Sequence, residues 1–208
     1  MFEVSRSIRR FRKDPAWEFR WRAPADWAVD RRGFPFTLGD GRGRAESLVS
    51  GPVAGYPATL AHMWVLPKGE TEIGRNLKLS LVVLELPFSL PDTAVTPRRL
   101  AHAWRTDMVW PYAPSAGPAY PLPGGGRNSA VRRVSVDHGF GAVLITDELL
   151  RLTLEADCGW RLAGRHLIGW TDKRRTYEYL VAMAERLAAI VAAFPLAAQA
   201  WAVPEDRR

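Results

Sequence analysis

Residues 76–86, with the sequence NLKLSLVVLEL, are the stretch that decides the fold. Apolar side chains occupy both alternating sets of positions in it: Leu77, Leu79, Leu81 and Val83 in one set, and Val82, Leu84 and Leu86 in the other. Because successive side chains of a strand point to opposite faces of the sheet, both faces of this strand have to be buried. The pattern predicts a central strand in a sheet that is covered on both sides.

The residues before this strand indicate a β-hairpin. Residues 37–46, TLGDGRGRAE, are glycine-rich and are predicted to form a loop. Residues 47–50 then enter the hairpin, residues 51–55 form its turn, and residues 56–66 leave it. Since only a short polar turn separates residues 56–66 from residues 76–86, we predict that these two strands pair as antiparallel neighbours.

Prolines and helix-capping residues mark the elements that follow the central strand. Pro87 is predicted to end the strand, and Thr96 to cap a short helix with Pro97 at its first position. Residues 111–126, PYAPSAGPAYPLPGGG, have no periodicity and are predicted to form a mobile loop. Another strand is predicted at residues 131–136.

The C-terminal third contains helix and hairpin signals. Thr146 is predicted to cap a helix over residues 147–156, which has acidic residues in its first turn. Residues 160–170 are predicted to form a second hairpin that turns around Gly164. An amphipathic helix is predicted over residues 172–194, because apolar residues recur along one stripe.

This order of elements predicts an α+β fold, in which helices flank an antiparallel β-sheet and a long amphipathic helix lies near the C-terminus. Residues 1–33 are interpreted as an N-terminal basic helix and aromatic segment, residues 34–195 as a single α+β domain that contains the loop, and residues 196–208 as a loose tail. A chain of 208 residues can bury a core without disulfides, and its single cysteine cannot form one within the chain.

The N-terminal segment predicts a short basic helix over residues 4–13. Val4, Ile8 and Phe11 recur at helical spacing and form a narrow apolar stripe. The other faces carry five basic residues: Arg6, Arg9, Arg10, Arg12 and Lys13. The stripe either docks on the domain, or lies free and binds an anionic membrane surface or an acidic protein partner with the help of those basic residues. The sequence leaves both alternatives open.

The net charge of +7 and the pI of about 10.1 raise the expectation of an anionic partner such as nucleic acid. Lysine occupies only four of the 29 basic positions, however, and abundant arginine and alanine are also typical of a GC-rich genome. Arginines interleave with aromatic residues in residues 17–22, WEFRWR, which is typical either of base stacking or of an aromatic core covered by arginine stems. The core interpretation is favoured, because no nucleic-acid-binding motif accompanies the pattern.

None of the candidate chemical motifs predicts a catalytic, cofactor-binding or metal-binding residue. Residues 124–129, GGGRNS, and 39–43, GDGRG, lack the spacing of phosphate-binding and dinucleotide-binding loops. Asp137 and His138 are neighbours that would point to opposite faces of a strand, and Cys158 follows a helix end, where the dipole disfavours a thiolate. No metal-ligand spacing links the four histidines, at positions 62, 102, 138 and 166.

Several short motifs occur together in a fixed order: Val49-Ser50-Gly51, Gly55-Tyr56-Pro57, LPFSLPDTAVTP at residues 86–97, Val136-Asp137, and WRLAG at residues 160–164. In that order they resemble a family of uncharacterised proteins from high-GC Gram-positive (actinobacterial) bacteria, and the resemblance covers residues 34–195. The proline pattern is its most specific part. Residues 105–130 depart from the family, in which a compact connection is expected. The family has no assigned activity, so the resemblance implies a fold and a lineage but no functional residue.

Three functions stay open on the sequence. The leading hypothesis is a non-catalytic interaction protein in the cytoplasm, peripheral to the inner membrane face, because catalytic motifs are missing while a basic, aromatic N-terminal segment is present. The alternatives are a nucleic-acid-associated basic protein and an enzyme with a dispersed active site. A cytoplasmic location is expected, because the basic N-terminus lacks the apolar stretch of a signal peptide and no segment has the ~18 apolar residues of a membrane span.

Overall fold

The computed structural model describes residues 2–24, 27, 35–38, 41–65, 77–103, 120–121 and 130–204. The α-helices in this part of the chain are α1 (Phe2–Lys13), α2 (His138–Leu144), α3 (Asp147–Ala156) and α4 (Tyr177–Ala192). Two 3-10 helices span Arg98–Ala103 and Leu196–Trp201. The strands are β1 (Glu18–Arg20), β2 (Thr37–Leu38), β3 (Gly41–Val53), β4 (Tyr56–Val65), β5 (Leu77–Pro97), β6 (Tyr120–Pro121), β7 (Val131–Ser135), β8 (Gly159–Asp172) and β9 (Val203–Pro204). Apart from β6, the predicted loop at residues 111–126 lies outside the described residues.

β5 is the centre of an antiparallel sheet. One edge of β5 pairs with β4 over its first half and with β7 over its second half, while the other edge pairs with β8. The strand order is β1-β3-β4-β5-β7-β6, with β2 added to β3 and β9 added to β5. Residues 77–84 pair with residues 58–65 in antiparallel register, so the predicted pairing of these two strands is confirmed. The predicted α+β class with an antiparallel sheet is confirmed as well.

Both faces of β5 are buried, as the alternating apolar pattern predicts. On the helix side of the sheet, the larger core includes Val82, Leu84 and Leu86. On the opposite side, a second core contains Leu79, Leu81 and Val83, together with Phe36 and Trp170. Each of these side chains is at most 2% exposed, so β5 contributes to two cores at once.

β5 does not end at Pro87, and that prediction is wrong. The strand continues to Pro97, and its pairing with β8 shifts register twice between Glu85 and Thr93. A proline has no N–H to donate, so this run of prolines falls where the ladder is irregular. Thr96 lies inside β5, paired with β7, and therefore does not cap a helix; the helix that follows is of the 3-10 type.

β8 is a single strand, so the hairpin predicted over residues 160–170 is wrong. Gly164 has a φ of +58°, and its N–H donates to the Asp92 carboxylate at 3.2 Å. The two halves of β8 pair with the two halves of β5 on either side of the register shifts. The glycine signal is therefore real, but it marks an irregularity shared by two paired strands instead of a chain reversal.

The first hairpin forms with a tighter turn than predicted. Only Ala54 and Gly55 connect β3 to β4, and both have positive φ, 48° and 85°, as a two-residue turn between twisted strands requires. The loop predicted over residues 37–46 is wrong, because residues 37–38 form β2 and β3 already begins at Gly41, while residues 39–40 lie outside the described residues. Glu46 is the extra residue of a bulge, because Ala45 and Ser47 pair with consecutive residues of β4.

The helices α1, α3 and α4 contribute to the core on one side of the sheet. In α1 the apolar stripe docks on the domain, since Ile8 and Phe11 are each 7% exposed and Val4 packs against the same cluster. The predicted cap of α3 is confirmed, because Thr146 accepts a hydrogen bond from the N–H of Leu149 at 3.2 Å.

Within the described part of the chain, none of the helices combines the length and apolarity needed to cross a membrane.

The C-terminal region differs from its prediction in two ways. α4 is capped by Thr176 and has 16 residues, so it is shorter than the long helix expected over residues 172–194. The tail, predicted to be loose, forms a 3-10 helix and then β9, which pairs with Phe88 and Ser89 of β5. Trp201 of that tail donates its indole N–H to Asp137 at 3.1 Å, which ties the tail to the start of α2.

Substitution of Gly159 by alanine should destabilise the fold. A Cβ at this position would overlap the indole ring of Trp170, which is 1% exposed and has no room to move. We expect Gly159→Ala to lower the free energy of unfolding by about 1–3 kcal/mol in urea denaturation, the usual cost of overpacking a core. The matched control is Gly139→Ala, where the added Cβ meets only ordinary contacts, 3.4 Å or longer. Equal stabilities of the two variants would contradict the packing of Trp170 on Gly159.

Candidate functional site

An open cleft of about 450 Å³ lies beside the end of β1, where β3 begins and β4 ends. Its lining consists of Trp21, Arg22, Arg44, Ala45, Glu46 and Trp64. This volume lies within the range of small-molecule sites, which is about 300–1,000 Å³. The cleft combines two tryptophan rings with two arginines, which is a lining suited to an anionic group attached to an apolar body.

A row of side chains across three strands forms one side of this cleft. Arg44 of β3 is directly opposite Trp64 of β4, and Trp64 is directly opposite Lys78 of β5. Residues directly opposite each other in a sheet project from the same face, so these three side chains are neighbours. The Lys78 ammonium lies 4.5 Å from the centroid of the Trp64 ring, which is a cation–π distance.

Trp21 forms the other aromatic wall of the cleft. Its ring packs edge-on against Phe19 at a centroid distance of 4.9 Å, while the residue stays 56% exposed. The guanidinium of Arg12, at the end of α1, lies 5.8 Å from the centroid of Trp21. Trp21 thus connects the cleft to α1. Of the aromatic residues at 17–22, Trp17 and Phe19 pack against the core as the favoured interpretation expects, whereas Trp21 does not.

The described lining of the cleft is positively charged. Glu46 is the one carboxylate among these described residues, and Arg174 neutralises it at 3.2 Å. Within the described part of the chain, neither Arg22 nor Arg44 forms an ion pair or a side-chain hydrogen bond. Both arginines are exposed. They therefore present guanidinium groups that an anionic ligand can reach without breaking an ion pair to any described residue.

A basic linker, residues 173–175, connects β8 to α4 beside this cleft. The buried side chains of Ser80 and His62 hold its backbone. The Ser80 hydroxyl donates to the carbonyl of Lys173 at 2.9 Å and accepts from the N–H of Arg175 at 2.9 Å. Nε2 of His62 lies 2.7 Å from the carbonyl of Arg175. Buried hydrogen bonds thus fix the linker that carries Arg174 to Glu46.

His62 lies in a chain of buried hydrogen bonds. A carbonyl can only accept, so Nε2 of His62 carries a proton and Nδ1 is the acceptor. Nδ1 lies 3.4 Å from the hydroxyl of Ser47, and that hydroxyl lies 2.7 Å from the Tyr177 hydroxyl. The consistent arrangement has Tyr177 donating to Ser47 and Ser47 donating to His62. Burial lowers the pKa of His62 to about 4, so the ring is neutral at physiological pH.

This serine–histidine pair is chemically reminiscent of a nucleophile and its base, but its position does not suit catalysis. Ser47 and His62 are each 1% exposed, and the neutral imidazole has a backbone carbonyl in place of an orienting carboxylate. Burial raises the pKa of Tyr177 to about 12, which keeps its hydroxyl protonated. The network therefore holds α4 and the basic linker on the sheet.

Ser7 connects α1 to the start of α4. Its hydroxyl accepts the N–H of Tyr177 at 2.8 Å and donates to the carboxylate of Glu178 at 2.5 Å. One of the free N–H groups at the start of a helix is thereby satisfied by a residue from another helix. Arg10 of α1 adds an ion pair with Glu178 at 3.6 Å. These contacts fix the orientation of α1 on the domain.

Asp137 and His138, the acid–base pair considered in the sequence, are not brought together for proton transfer. Asp137 is the N-cap of α2 and accepts the N–H of Phe140 at 2.8 Å, while its other oxygen accepts from Trp201. His138 is exposed at the first position of the helix. The pair therefore lies at the start of a helix and not on a strand.

The other sequence candidates are dispersed. Cys158 is fully buried in the core, and burial raises the pKa of its thiol to about 12. Residues 124–129 and 39–40 lie outside the described residues, whereas 41–43 form the start of β3. The side chain of His102 is also not described. Among the residues that the structure describes, no group of three or more histidine, cysteine or carboxylate side chains is arranged to hold a metal ion.

The sequence predictions missed the row of Arg44, Trp64 and Lys78. Its members are far apart in the chain, and only the cross-strand register brings them together. A partial signal was present, because Trp64 and His62 share one face of the predicted strand with Leu60. The residues of β3 that lie opposite this face of β4 could be assigned only after the bulge at Glu46 was known.

Comparisons with known proteins show a fold and no family. No family model matches the chain, and no curated protein matches it in sequence. Among solved structures, the crystal structure of the mycobacterial trehalose monomycolate transport factor A, TtfA, is similar with a TM-score of 0.60 and 10% sequence identity, over 99% of this chain and 100% of that chain. Identity this low shows a shared fold alone.

The buried His62 should make stability depend on pH. Its folded-state pKa of about 4 lies below the ordinary value of 6.5, so between these pH values the unfolded chain binds a proton that the folded chain does not. Stability is therefore expected to fall as pH drops from about 6.5 to about 4, by about 3 kcal/mol from this group. Urea denaturation at a series of pH values measures the slope. His62→Gln should make this slope smaller, while His138→Gln, at an exposed position, should not. Equal slopes in all three proteins would contradict the role of buried His62 in the pH dependence.

Proposed function

We propose that this chain is a non-catalytic interaction protein that binds an anionic membrane surface through one side of α1 and the neighbouring Trp21. The observation that carries the proposal is the position of Trp21, which is 56% exposed and lies beneath Arg12 at the border of the cleft. We refer to Arg6, Arg9, Arg12 and Lys13 of α1, with Trp21 and Arg22, as the cationic face. All six residues are exposed.

The orientation of α1 supports this proposal. Its apolar stripe and Ser7 point into the domain, so helical periodicity places Arg9 and Lys13 on the opposite side, towards solvent. Arg10 turns towards Glu178, and Arg12 turns towards Trp21. Because α1 is fixed by its buried side, binding carries no further cost for ordering the helix backbone and only the cost of ordering its basic side chains.

Tryptophan next to arginine favours a membrane surface as the partner. The indole ring is amphipathic and is enriched where a membrane meets water, and arginine is attracted to anionic headgroups. Each basic residue near an anionic bilayer contributes about 1 kcal/mol, so the cationic face contributes a few kcal/mol. Binding of this kind is reversible and weakens as salt screens the charges.

A non-catalytic function is supported by the chemistry of the cleft. Its lining carboxylate is paired with Arg174, and the nearest histidine, on β4, is buried in the hydrogen-bonded network. The neighbour of similar fold is named a transport factor, which is compatible with a binding function for this architecture. A cytoplasmic, inner-face location remains part of the proposal, in line with the basic character of the N-terminal segment.

Neutralisation of the cationic face should weaken membrane binding. We expect Arg9→Gln/Lys13→Gln to lower the affinity for vesicles that contain anionic phospholipid by roughly 30-fold, since two contributions of about 1 kcal/mol are lost. Co-sedimentation with anionic and with purely zwitterionic vesicles measures this. Binding of the unchanged chain should also disappear at about 1 M salt, where the Debye length is ~3 Å.

The control is Arg151→Gln/Arg186→Gln, which removes the same charge from the exposed surfaces of α3 and α4 and should bind like the unchanged chain. Substitution is preferable to deletion of α1, because deletion would expose the core against which Ile8 and Phe11 pack. Equal losses of vesicle affinity in both double variants would show that binding depends on the net charge of the chain and not on the cationic face. Failure to bind vesicles, together with salt-sensitive retardation of DNA, would replace this proposal by a nucleic-acid function.

A further inference from the structure

We infer that the cleft between Trp21 and Trp64 is a binding site for a single phosphate-bearing amphiphile, with the phosphate held by Arg22 and Arg44 and the adjoining apolar part held between the two indole rings. This inference goes beyond surface attraction, because it assigns a discrete site and a ligand class. It rests on the proposed membrane function in one respect, namely that the membrane would supply the ligand.

Charge complementarity is the first argument. Arg22 and Arg44 both line the cleft, both are exposed, and neither has an ion-pair partner in the described part of the chain. Two guanidinium groups at one cleft match the several acceptor oxygens of a phosphate, which arginine binds through paired N–H donors. Glu46 would repel the ligand if it were free, but Arg174 neutralises it.

The aromatic walls supply the second argument. Trp21 and Trp64 both line the cleft, and Ala45, which is 7% exposed, contributes a small apolar surface between β3 and β4. Lys78 lies against the Trp64 ring and keeps a further positive charge beside it. An inorganic anion would use the arginines and leave this apolar surface in water, whereas the glycerol and first acyl carbons of a lipid would cover it.

The bulge in β3 supplies the third argument. It inserts Glu46 between Ala45 and Ser47, so that Ser47 can point into the buried network while Arg44 remains beside Trp64. Bulges of this kind commonly redirect side chains next to functional sites. The same bulge brings Glu46 to Arg174 of the basic linker, which His62 and Ser80 fix from below. The side of the cleft formed by β3 and β4 is therefore built on paired strands, while Trp21 and Arg22 follow β1 directly.

The test uses soluble probes, so that it is independent of membrane binding. The full-length chain is titrated with dihexanoyl phosphatidic acid below its micelle concentration, with inorganic phosphate, with dihexanoyl phosphatidylcholine and with adenosine monophosphate. Binding is followed by the indole N–H resonances of Trp21 and Trp64, assigned with Trp21→Phe and Trp64→Phe. We expect phosphatidic acid to shift both resonances and to bind at least about tenfold more tightly than the other probes, because only it combines a fully charged phosphate with short acyl chains.

Arg22→Gln/Arg44→Gln should lower the affinity for phosphatidic acid by about tenfold or more, because charge-assisted hydrogen bonds to the phosphate are lost. Both positions are exposed, so the fold does not need these arginines. Arg9→Gln/Lys13→Gln should leave this soluble binding unchanged while it reduces vesicle binding. Unperturbed indole resonances at saturating phosphatidic acid would overturn the inference, and tighter binding of adenosine monophosphate would assign the cleft to a nucleotide.

The two proposals fail in different ways. Soluble phosphatidic acid binding without any vesicle binding would remove the membrane function and keep the site. Salt-sensitive vesicle binding by the unchanged chain, with no binding of the short lipid, would keep the membrane function and remove the site.

Discussion

The burial of β5 on both faces and along both edges is the constraint on which the rest of the structure depends. Its N–H and C=O groups pair with β4 and β7 on one edge and with β8 on the other, and its side chains enter two separate cores. A strand in this position cannot slip by one residue without turning apolar side chains from one core into the other and exposing Lys78 and Ser80 to apolar surroundings. The register of β5 therefore fixes where Lys78 meets Trp64 and where Ser80 meets the basic linker.

The cleft lies where the helix-covered part of the sheet ends, and buried polar groups mark that boundary. Ser47, Ser80 and His62 are almost fully buried, which is costly for polar groups unless they are hydrogen-bonded. Here they are bonded to one another, to Tyr177 and to the basic linker. Neutral His62 can take part only because burial opposes its protonation. The same network that joins α4 to the sheet thus holds Arg174 over Glu46 and leaves the cleft positive.

The docking of α1 changes what its basic residues can do. A free amphipathic helix inserts its apolar face into a bilayer, whereas in this chain that face is part of the core and Ser7 is bonded to α4. What is left for a partner is a rigid cationic surface with Trp21 at its border. Under the proposed membrane function, anionic partners would be recognised by the charge of this surface, and screening would limit the binding energy. The similarity in fold to TtfA at 10% identity shows that the architecture tolerates almost complete replacement of its residues, so any function depends on the surface that each sequence builds on it.

The sequence by itself determined the elements whose signal is periodic and local: the doubly apolar strand at residues 77–86, its neighbour β4, the cap at Thr146 and the stripe of α1. In each case the spacing of apolar residues along the element indicates which of them are buried.

Only the tertiary structure decided the features that depend on pairing between distant segments. The prolines after Pro87 and the glycine at Gly164 indicated breaks, yet two strands that share their irregularities remain paired through both. Ser7 and Tyr177 are 170 residues apart. Arg44 lies opposite Trp64 because a bulge at Glu46 sets the register of β3 on β4, and the regular pairing of β4 with β5 adds Lys78 to the row. Sequence periodicity tells which side of an element faces inwards, but the contact between two elements depends on how they are aligned, and that alignment is set by the packing of the whole core.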